Sequence, residues 1–493
     1  MTTQKIKQDI PQTEFLGHPK GLFTLSFTEF WERFSYYGMR AILLYFMYYQ
    51  TSQGGLGIEK NTAASIMSIY GSLVYMSSVA GGWIADRLLG NRKTVFYGGI
   101  LIMIGHVILT LPNSITTLCL SMIFIIFGTG FLKSNASSIV GSLYSQTDNR
   151  RDSGFSIFYM GINLGAFIAP FIVGSIGQRY NFSLGFGMAA VGMLLGLIVF
   201  SITEKKNLGS AGMKAPNPLT RSERKIIFQK VSIGVVVILL LVLATRVTDM
   251  LTFQNFSLFI CILGIIIPTC YFLFMYRSQK VTDVERTRIL AYIPLFIAAI
   301  MFFAISEQGS SILAMYADKR TQLHYGGIKL DASWFQSLNP LFIILCSPIF
   351  AWIWLKLGSR QPSVSKKFAL GLFLAGASFL IMLIPAYMNG TGSLVNPIWL
   401  VLSFFLVTLG ELCLSPVGLS ITTKLAPAAF ASQTMSLWFL SNAAAQGINA
   451  QLAQLYNPQT EIIYFGIIGA VSILLGVVLI IVSPKIQSLM KGL

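Results

Sequence analysis

Long apolar segments recur along the whole chain, and short polar stretches separate them. Each segment is close to the roughly 20 residues that a helix needs to cross the hydrocarbon core of a bilayer. The segments are too long and too uniformly apolar for strands of a membrane barrel. Because lipid offers the backbone no hydrogen-bonding partner, we expect helices. The pattern predicts fourteen of them, at about 21–49, 61–88, 94–111, 115–141, 153–178, 183–203, 226–245, 253–276, 288–316, 335–357, 365–388, 397–424, 430–456 and 461–483.

The composition agrees with this pattern and excludes a soluble protein of the same size. Hydrophobic residues make up 54% of the 493 residues and charged residues only 11%, against about 25% in soluble domains. Residues 1–20 are polar, so we expect no cleavable signal peptide. The five cysteines and three histidines lack metal-ligand spacing, so we expect no metal site. The predicted fold class is an all-α polytopic membrane protein.

Basic residues are distributed unevenly between the two sides of the predicted helices. With fourteen spans, both termini lie on the same side. That side carries 26 of the 35 lysines and arginines, the opposite side carries 6, and three lie within spans. Cytoplasmic loops are enriched in Lys and Arg, so we expect both termini to be cytoplasmic. The net charge of +17 then reflects topology and not nucleic-acid binding, although it favours contact with anionic lipid.

A polar stretch divides the chain into two halves. Residues 204–225 contain Gly, Pro and several charges, and two very apolar segments follow them. We predict an N-terminal six-helix half at 1–203, a linker with two extra helices at 204–286, and a C-terminal six-helix half at 287–493. Similar tetrapeptides, Leu-Gly-Asn-Arg at 89–92 and Leu-Gly-Ser-Arg at 357–360, follow the second helix of each half. Secondary transporters are often built from such repeats, with the solute site between them.

Ionisable side chains lie inside several predicted spans, where each is costly and usually faces a cavity or a partner. In the first span they recur at steps of three and four residues, which places them on one face of a helix. Further ionisable residues lie in the fourth, ninth and twelfth spans. The set comprises Glu29, Glu32, Arg33, Tyr36, Tyr37 and Arg40 in the first span, Lys133 in the fourth, Glu307 in the ninth and Glu411 in the twelfth.

These charges are best explained by transport of a polar solute. A buried Glu that can exchange a cationic partner for a proton is suited to couple proton binding to movement. Static ion pairs between helices, or neutral hydrogen-bonded carboxyl groups, are the alternatives for individual members. We also predict that Tyr75, Asn163, Asn339 and Trp438 line a cavity, with ordinary packing as the alternative for each.

Two stretches resemble motifs of known transporters. Residues 81–93, Gly-Gly-Trp-Ile-Ala-Asp-Arg-Leu-Leu-Gly-Asn-Arg-Lys, resemble the loop signature of the major facilitator superfamily. Residues 29–38, Glu-Phe-Trp-Glu-Arg-Phe-Ser-Tyr-Tyr-Gly, resemble the ExxERFxYYG motif of the proton-dependent oligopeptide transporter (POT) family. Residues 17–21, 155–165, 307–308 and 333–340 fit the same family. Within it, the chain is most similar to bacterial importers of di- and tripeptides.

The resemblance implies a major facilitator fold with two extra helices, in a bacterial inner membrane. It implies a monomeric proton symporter of di- and tripeptides that works by alternating access, with no cofactor besides the proton as coupling ion. Proton coupling would involve Glu29, Glu32, Arg33 and Glu307. Peptide binding would involve Arg33, Tyr37, Arg40, Tyr75, Lys133, Asn163, Asn339, Glu411 and Trp438. Gating would involve Asp86 and two ion pairs, Arg40 with Glu307 toward the outside and Lys133 with Glu411 toward the inside.

The sequence departs from the family pattern at two points. Ser134 follows Lys133 where many members have Pro, so the fourth helix should be less kinked. No His lies in the second span, where animal members have one, so proton entry must rest on carboxylates.

Other functional classes fit the sequence less well. A proton symporter of another anionic solute, such as nitrate, is the main alternative, but nitrate needs no acidic partner for an ammonium group. A channel should show repeated rings of pore-lining residues. An enzyme should show a catalytic constellation. We see neither in the predicted spans, and we expect a transporter and not an enzyme.

Overall fold

The computed structural model describes residues 14–145, 148, 150–247, 252–325 and 327–490. Within these ranges the chain forms fourteen long helices, which we number α1 to α14 in chain order. They are α1 Lys20–Tyr48, α2 Lys60–Leu89, α3 Asn91–Ile108, α4 Ile115–Ser142, α5 Arg151–Arg179, α6 Phe182–Leu208, α7 Arg221–Val247, α8 Phe253–Arg277, α9 Asp283–Lys319, α10 Ala332–Leu357, α11 Val364–Asn389, α12 Ile398–Leu425, α13 Ala431–Leu452 and α14 Glu461–Leu489.

Capping residues explain where several of these helices begin. The Glu59 side chain accepts hydrogen bonds from the backbone N–H groups of residues 61 and 62, at the start of α2. Ser114 with Thr117, and Thr282 with Glu285, form capping boxes at the starts of α4 and α9. Each cap supplies partners for N–H groups that the first helical turn leaves unsatisfied.

Ten of the described helices are long and apolar enough to span a membrane. The first helix is not among the ten, since it carries the charged stripe that begins at Glu29. Its stripe is buried inside the protein, so the charges do not face lipid. The predicted helical membrane fold is therefore confirmed, and the predicted spans correspond one to one with the observed helices.

Two irregular segments interrupt helices near the middle of the protein. Helix α5 contains a π-helical turn at Pro170–Gly174, and helix α9 contains a 3-10 turn at Glu307–Ser310. Helix α2 also ends in a π-helical segment, Ala85–Leu89. Irregular turns inside a helix often mark functional positions or hinges.

Close helix packing within the first half depends on glycine. A Cβ atom at Gly81 of α2 would overlap the Gly130 carbonyl oxygen of α4, and a Cβ at Gly98 of α3 would lie 2.7 Å from the Gly128 carbonyl oxygen. Small residues let membrane helices approach this closely. The first half consists of α1–α6 and the second of α9–α14, and each has dense contacts among its own helices.

The observed linker is shorter than the predicted one. The boundary predicted at residue 203 falls inside α6, which continues through a charged last turn to Leu208, and the boundary predicted at residue 287 falls inside α9. A helix can continue through charged residues at its exposed end. Boundaries predicted from polarity alone therefore fall within the last or first turns of these helices. The N–H of Asn217 donates to the Asp86 carbonyl oxygen at 3.0 Å, and so the linker lies against the end of α2.

Helix α8 packs against both halves. Ser257 of α8 lies 3.5 Å from the Ser65 hydroxyl of α2, and it accepts a hydrogen bond from the Gln451 amide of α13 at 2.7 Å. Its apolar sequence suggests a helix that faces only lipid, but the structure gives it polar contacts with α2 and α13.

Two short hairpins complete the described structure. The first pairs β1 Glu14–Phe15 with β2 His18–Pro19, and the second pairs β3 His324–Tyr325 with β4 Ile328–Lys329. The first lies on the terminal side, where Arg150 contacts Glu14 at 2.5 Å. The second lies on the opposite side, between α9 and α10.

Hydrogen bonds between the two halves are concentrated on the side of the helix bundle opposite the two chain termini, which we call the non-terminal end. They run from the middle of the helices outward, and together they hold that end of the protein closed. The pairs include Arg40 with Glu307, Tyr48 and Tyr49 with Asp318, Asn61 with the Tyr456 carbonyl, Ser65 with the Ala450 carbonyl, Arg179 with Asp331, Ser175 with Trp334, and Ser337 with the Phe167 carbonyl.

Candidate functional site

The first cluster of charges lies within α1 itself. The Arg33 Nε atom is 3.0 Å from a Glu29 carboxylate oxygen and 2.5 Å from a Glu32 oxygen. All three side chains are buried. The spacing of three and four residues brings them onto one helical face, and the guanidinium balances two acids in surroundings where unpaired charges are costly.

The second cluster centres on Glu307, at the start of the 3-10 turn in α9. Arg40 of α1 donates to Oε2 of Glu307 at 2.6 Å, and Tyr75 of α2 donates to Oε1 at 3.1 Å. The Gln446 amide of α13 also donates to Oε2, at 2.7 Å. One carboxylate of the second half therefore joins two helices of the first half, and it can do so fully only while it is ionised.

Lys133 does not contact Glu411 in this structure. Its ammonium nitrogen lies 3.9 Å from the centre of the Tyr75 ring, a cation–π contact within the first half. The cross-half bonds described above occur from the middle of the protein to the non-terminal end. Lys133 and Glu411 belong to different halves, and the bonds between the halves lie elsewhere. The predicted inner ion pair is therefore not formed.

Glu411 of α12 instead bonds within its own half. The Asn339 amide donates to a Glu411 carboxylate oxygen at 2.9 Å and to the Thr408 hydroxyl at 3.1 Å. Glu411 therefore keeps acceptor capacity for a positively charged group of a solute. The Asn163 amide also bonds within its own half, where it donates to the Tyr159 carbonyl one turn earlier.

A cavity of about 240 Å³ lies between the two halves. One wall comes from α1, α2 and α5, and the other from α9, α10, α12 and α13. The predicted residues that line it are Tyr37, Arg40, Tyr75, Asn163, Glu307, Asn339 and Glu411. A polar lining with a cation on one side and an acid on the other suits a solute with charges of both signs.

Several predicted residues lie away from this lining. Glu29, Glu32 and Arg33 form the buried cluster inside α1, and Lys133 stands behind the Tyr75 ring. Trp438 is packed in the core of the second half, against the rings of Phe303 and Phe368. Gly418 leaves room for the indole between the helices, and Trp438 does not line this cavity, so its predicted role as a pocket wall stays a prediction.

Asp86 lies in the π-helical end of α2, with an exposed side chain. Its carbonyl oxygen accepts a bond from the linker, as described above. The hydrogen bonds found for Asp86 in the described part of the chain involve its backbone and not its carboxylate. The predicted gating role of this residue stays a prediction.

Sequence reasoning missed several polar residues of the site. Gln446 binds Glu307, and Tyr159, Gln336 and Asn442 line the cavity. A signal was present in α13, where Asn442, Gln446 and Asn449 recur at steps of four and three residues. Uncharged amides are less costly in a membrane helix than charges, and so they stand out less from the apolar background.

A second layer of contacts closes the non-terminal end. The hydroxyl groups of Tyr48 and Tyr49 donate to the two oxygens of Asp318 at 2.7 and 2.8 Å. Burial, and then the Asp318 carboxylate, raise the pKa of Tyr49 above its usual value, so this hydroxyl stays a donor. Nearby, Arg179 donates to Asp331 at 2.8 Å. These contacts extend the closure that begins at Glu307.

The side chains of the site make ion pairs and hydrogen bonds. Among the residues that the structure describes, no group of three or more His, Cys, Asp or Glu side chains could hold a metal ion. The candidate site therefore consists of the cavity, the Glu307 cluster and the closed non-terminal end.

Comparison with known proteins agrees with this geometry. The family model described as the POT family matches residues 92–473. The chain belongs to the POT family. This membership confirms the resemblance seen in the first helix, and it confirms a transporter and not an enzyme.

Individual POT family relatives match nearly the full chain. A di-/tripeptide transporter of Lactococcus lactis subsp. cremoris is 47% identical, over 98% of this chain and 99% of its own. An uncharacterized transporter of Bacillus subtilis, YclF, is 60% identical, over 99% and 98%. The crystal structure of a peptide transporter POT in complex with sulfate is 61% identical, with a TM-score of 0.97 and full coverage of both chains. The chain is thus a multi-pass membrane protein of this family.

Proposed function

We propose that this protein is a proton-coupled symporter that imports di- and tripeptides by alternating access. The observation that carries the proposal is the cavity between the halves, with Arg40 on one wall and Glu411 on the other. The di-/tripeptide transporter of Lactococcus lactis, at 47% identity, supports the same substrate class.

The charges of the cavity match the ends of a short peptide. A di- or tripeptide is a zwitterion whose ends lie roughly 5–10 Å apart, at about 3.3–3.6 Å per extended residue. Its carboxylate would meet Arg40, with Lys133 and Arg33 contributing positive potential from behind the lining. Its ammonium group would meet Glu411, beside the amides of Asn339 and Asn163. Side chains between the ends can vary, because the terminal charges carry recognition.

The Glu307 cluster provides a route from protonation to movement. Protonation of Glu307 removes the negative charge that holds Arg40, and so it weakens the bond between α1 and α9. The buried cluster of Glu29, Glu32 and Arg33 would then exchange the proton toward the other side. Peptide carboxylate near Lys133 would compete with Glu411 for that ammonium group, and this competition would control the inner end.

The distribution of basic residues indicates which end of the protein faces the cytoplasm. With both termini in the cytoplasm, the closed end faces outward and the open end faces the cytoplasm. We take this arrangement as the inward-facing state of a monomer surrounded by lipid, in a bacterial cell membrane. Return to the outward-facing state would form the ion pair between Lys133 and Glu411.

An anion symporter fits this cavity less well than a peptide symporter. A site for nitrate or a similar anion has no use for a carboxylate in its wall. Glu411 lines the cavity, and the bonds it makes within the protein leave acceptor capacity that faces a solute. This acid therefore favours a solute with an ammonium group.

Uptake by proteoliposomes tests the proposal. Purified protein is reconstituted, an inward proton gradient is imposed, and uptake of labelled dialanine is followed beside a free amino acid. We expect accumulation that depends on the gradient and that other dipeptides inhibit but free alanine does not. Glu307→Gln should abolish uphill accumulation while counterflow of dialanine persists. Full accumulation by Glu307→Gln, or no dipeptide flux by the unchanged protein, would contradict the proposal.

A further inference from the structure

The Glu307 carboxylate also accepts a hydrogen bond from Gln446, which has no part in the proton step proposed above. The Gln446 amide donates to the same carboxylate oxygen that Arg40 binds, at 2.7 Å. Gln446 is only 1% exposed. A hydrogen bond to an ionised carboxylate is stronger than one between neutral groups, and more so away from water. The amide is therefore placed to favour the charged form of Glu307.

The room for this contact comes from Gly71 of α2. A Cβ atom at Gly71 would stand 2.6 Å from the amide nitrogen of Gln446 and 2.9 Å from its carbonyl carbon. The helices are fixed at this level, because the Ser72 hydroxyl donates to the Ala443 carbonyl oxygen at 2.8 Å. Even an alanine at residue 71 would therefore force the Gln446 side chain to move.

A second amide of α13 supports the same turn of α9. The Gln308 side-chain N–H donates to the Asn449 side-chain oxygen at 3.2 Å, and the Tyr464 hydroxyl donates to the side-chain amide oxygen of Gln308 at 2.7 Å. Both residues that begin the 3-10 turn are thus attached to α13. With Gln308 anchored in this way, the Gln446 amide acts together with Arg40 and Tyr75 to fix the position of the Glu307 carboxylate.

We propose that Gln446 is a positioning residue for Glu307, and that it sets the pH at which the non-terminal ends of the halves separate. This inference rests on the proposed function, because it assumes that protonation of Glu307 releases Arg40. Hydrogen bonds to an ionised group oppose its protonation, so loss of the Gln446 amide should let Glu307 take up a proton at higher pH.

Other charged and titratable groups also act on Glu307. The cations oppose its protonation as Gln446 does, and a second carboxylate favours it. These groups are Arg40, Tyr36 and Tyr37 of α1, Tyr75 of α2, Lys133 of α4 and Glu411 of α12. Since none of them is changed by a substitution at residue 446, the contribution of the amide can be measured separately.

The distance between the two halves at the non-terminal end provides the measurement. Spin labels are attached at Ser52→Cys and Ser393→Cys, two exposed loop positions in different halves, in a full-length background without the five native cysteines. The fraction of protein that is open at the non-terminal end is recorded by double electron–electron resonance from pH 4 to pH 9. Gln446→Met and Gly71→Ala are compared with the unchanged background.

Gln451→Met is the matched control. Gln451 lies on the same helix, and its amide bonds Ser257 of α8. We expect Gln446→Met to move the opening midpoint about one to two pH units higher, which corresponds to one hydrogen bond to a charged group. Gly71→Ala should move it in the same direction, and Gln451→Met should leave it unchanged.

Three outcomes would overturn the inference. They are an unshifted midpoint in both Gln446→Met and Gly71→Ala, an equal shift in Gln451→Met, and an opening that does not depend on pH in the unchanged protein. The proteoliposome assay separates this failure from failure of the proposed function, because gradient-driven dipeptide uptake by the unchanged protein does not depend on the behaviour of Gln446 variants.

Discussion

The ammonium group of Lys133 lies over the face of Tyr75, 3.9 Å from the ring centre. The same tyrosine donates its hydroxyl to Glu307. Tyr75 thus connects a cation of the first half to an acid of the second, and each end of the residue makes a different kind of contact. Its hydroxyl can be removed alone, and its ring can then be removed as well.

Substitution of Tyr75 should reveal these two contributions. Tyr75→Phe keeps the ring and should lower the free energy of unfolding by about 1.5–3 kcal/mol, for the lost hydrogen bond to an ionised carboxylate. Tyr75→Leu also removes the cation–π contact, and it should cost about 0.5–2 kcal/mol more. Thermal unfolding in detergent measures both. Combination with Lys133→Met should reduce the difference between Phe and Leu by the cation–π contribution; an unchanged difference would contradict the assigned contact.

Glu411 should be specific for the amino end of a peptide. Glu411→Gln should weaken binding of dialanine roughly 10- to 100-fold, since a hydrogen bond to a charged group contributes about 1.5–3 kcal/mol. N-acetyl-dialanine lacks the ammonium group, so its affinity should change little between the two proteins. Competition binding with a labelled dipeptide measures both affinities. An equal loss for both ligands would assign Glu411 a structural role instead.

The tyrosines at the end of α1 should control how often the closed end opens. Together, Tyr48→Phe and Tyr49→Phe remove both donors to Asp318 and should increase the open fraction at neutral pH about tenfold or more. The spin-label distance measurement described above records this fraction. Tyr180→Phe is the control, because Tyr180 is 80% exposed. An open fraction that the double substitution leaves unchanged would show that Asp318 does not hold the halves together.

A buried ion pair should stabilise the second half. Arg320 donates to both oxygens of Glu461, at 3.0 and 2.8 Å, and both side chains are at most 5% exposed. Glu461→Gln leaves the guanidinium uncompensated and should lower the free energy of unfolding by about 3–5 kcal/mol. Asp283→Asn, which breaks an exposed pair with Arg286, should cost at most about 1 kcal/mol. Equal thermal shifts for the two variants would refute this.

The contact between α2 and α4 should be intolerant of side chains. At Gly130, an added Cβ would meet the Ser77 carbonyl group at 2.7 Å, so Gly130→Ala should destabilise the protein by about 1–3 kcal/mol. Gly187→Ala is the matched control, since its nearest neighbour would be a Thr110 methyl at 3.8 Å. Thermal unfolding compares them, and a similar midpoint for both would argue against close packing at this crossing.

The sequence predicted the helices from their apolar residues, and it predicted part of the site from the charged residues that interrupt them. Charges in a membrane helix are too costly to be accidental, so Arg40, Glu307 and Glu411 could be identified from the sequence, and the structure places all three on one cavity. The pairing of Arg40 with Glu307 joins residues that are 267 positions apart. The family motif, and not periodicity, indicated that pair.

Other features could not be predicted, each for a physical reason. Lys133 contacts Tyr75 and Glu411 contacts Asn339, because the halves are joined away from these two residues, and a sequence does not specify where the halves are joined. Trp438 packs in the core because Gly418 makes room for it, and such complementarity appears only in three dimensions. Gln446 is neutral, so hydropathy does not mark it.

The 3-10 turn at Glu307–Ser310 divides α9 into two straight helical rods. The outer rod, Ile312–Lys319, carries Asp318 near its far end, about 12 Å beyond Ser310, the last residue of the turn, at 1.5 Å per residue. A tilt of about 6° at the turn therefore displaces Asp318 by about 1 Å. That displacement takes a 2.7 Å hydrogen bond beyond bonding distance. Under the proposed function, protonation of Glu307 would therefore release a contact that lies 11 residues, or about three helical turns, further along α9.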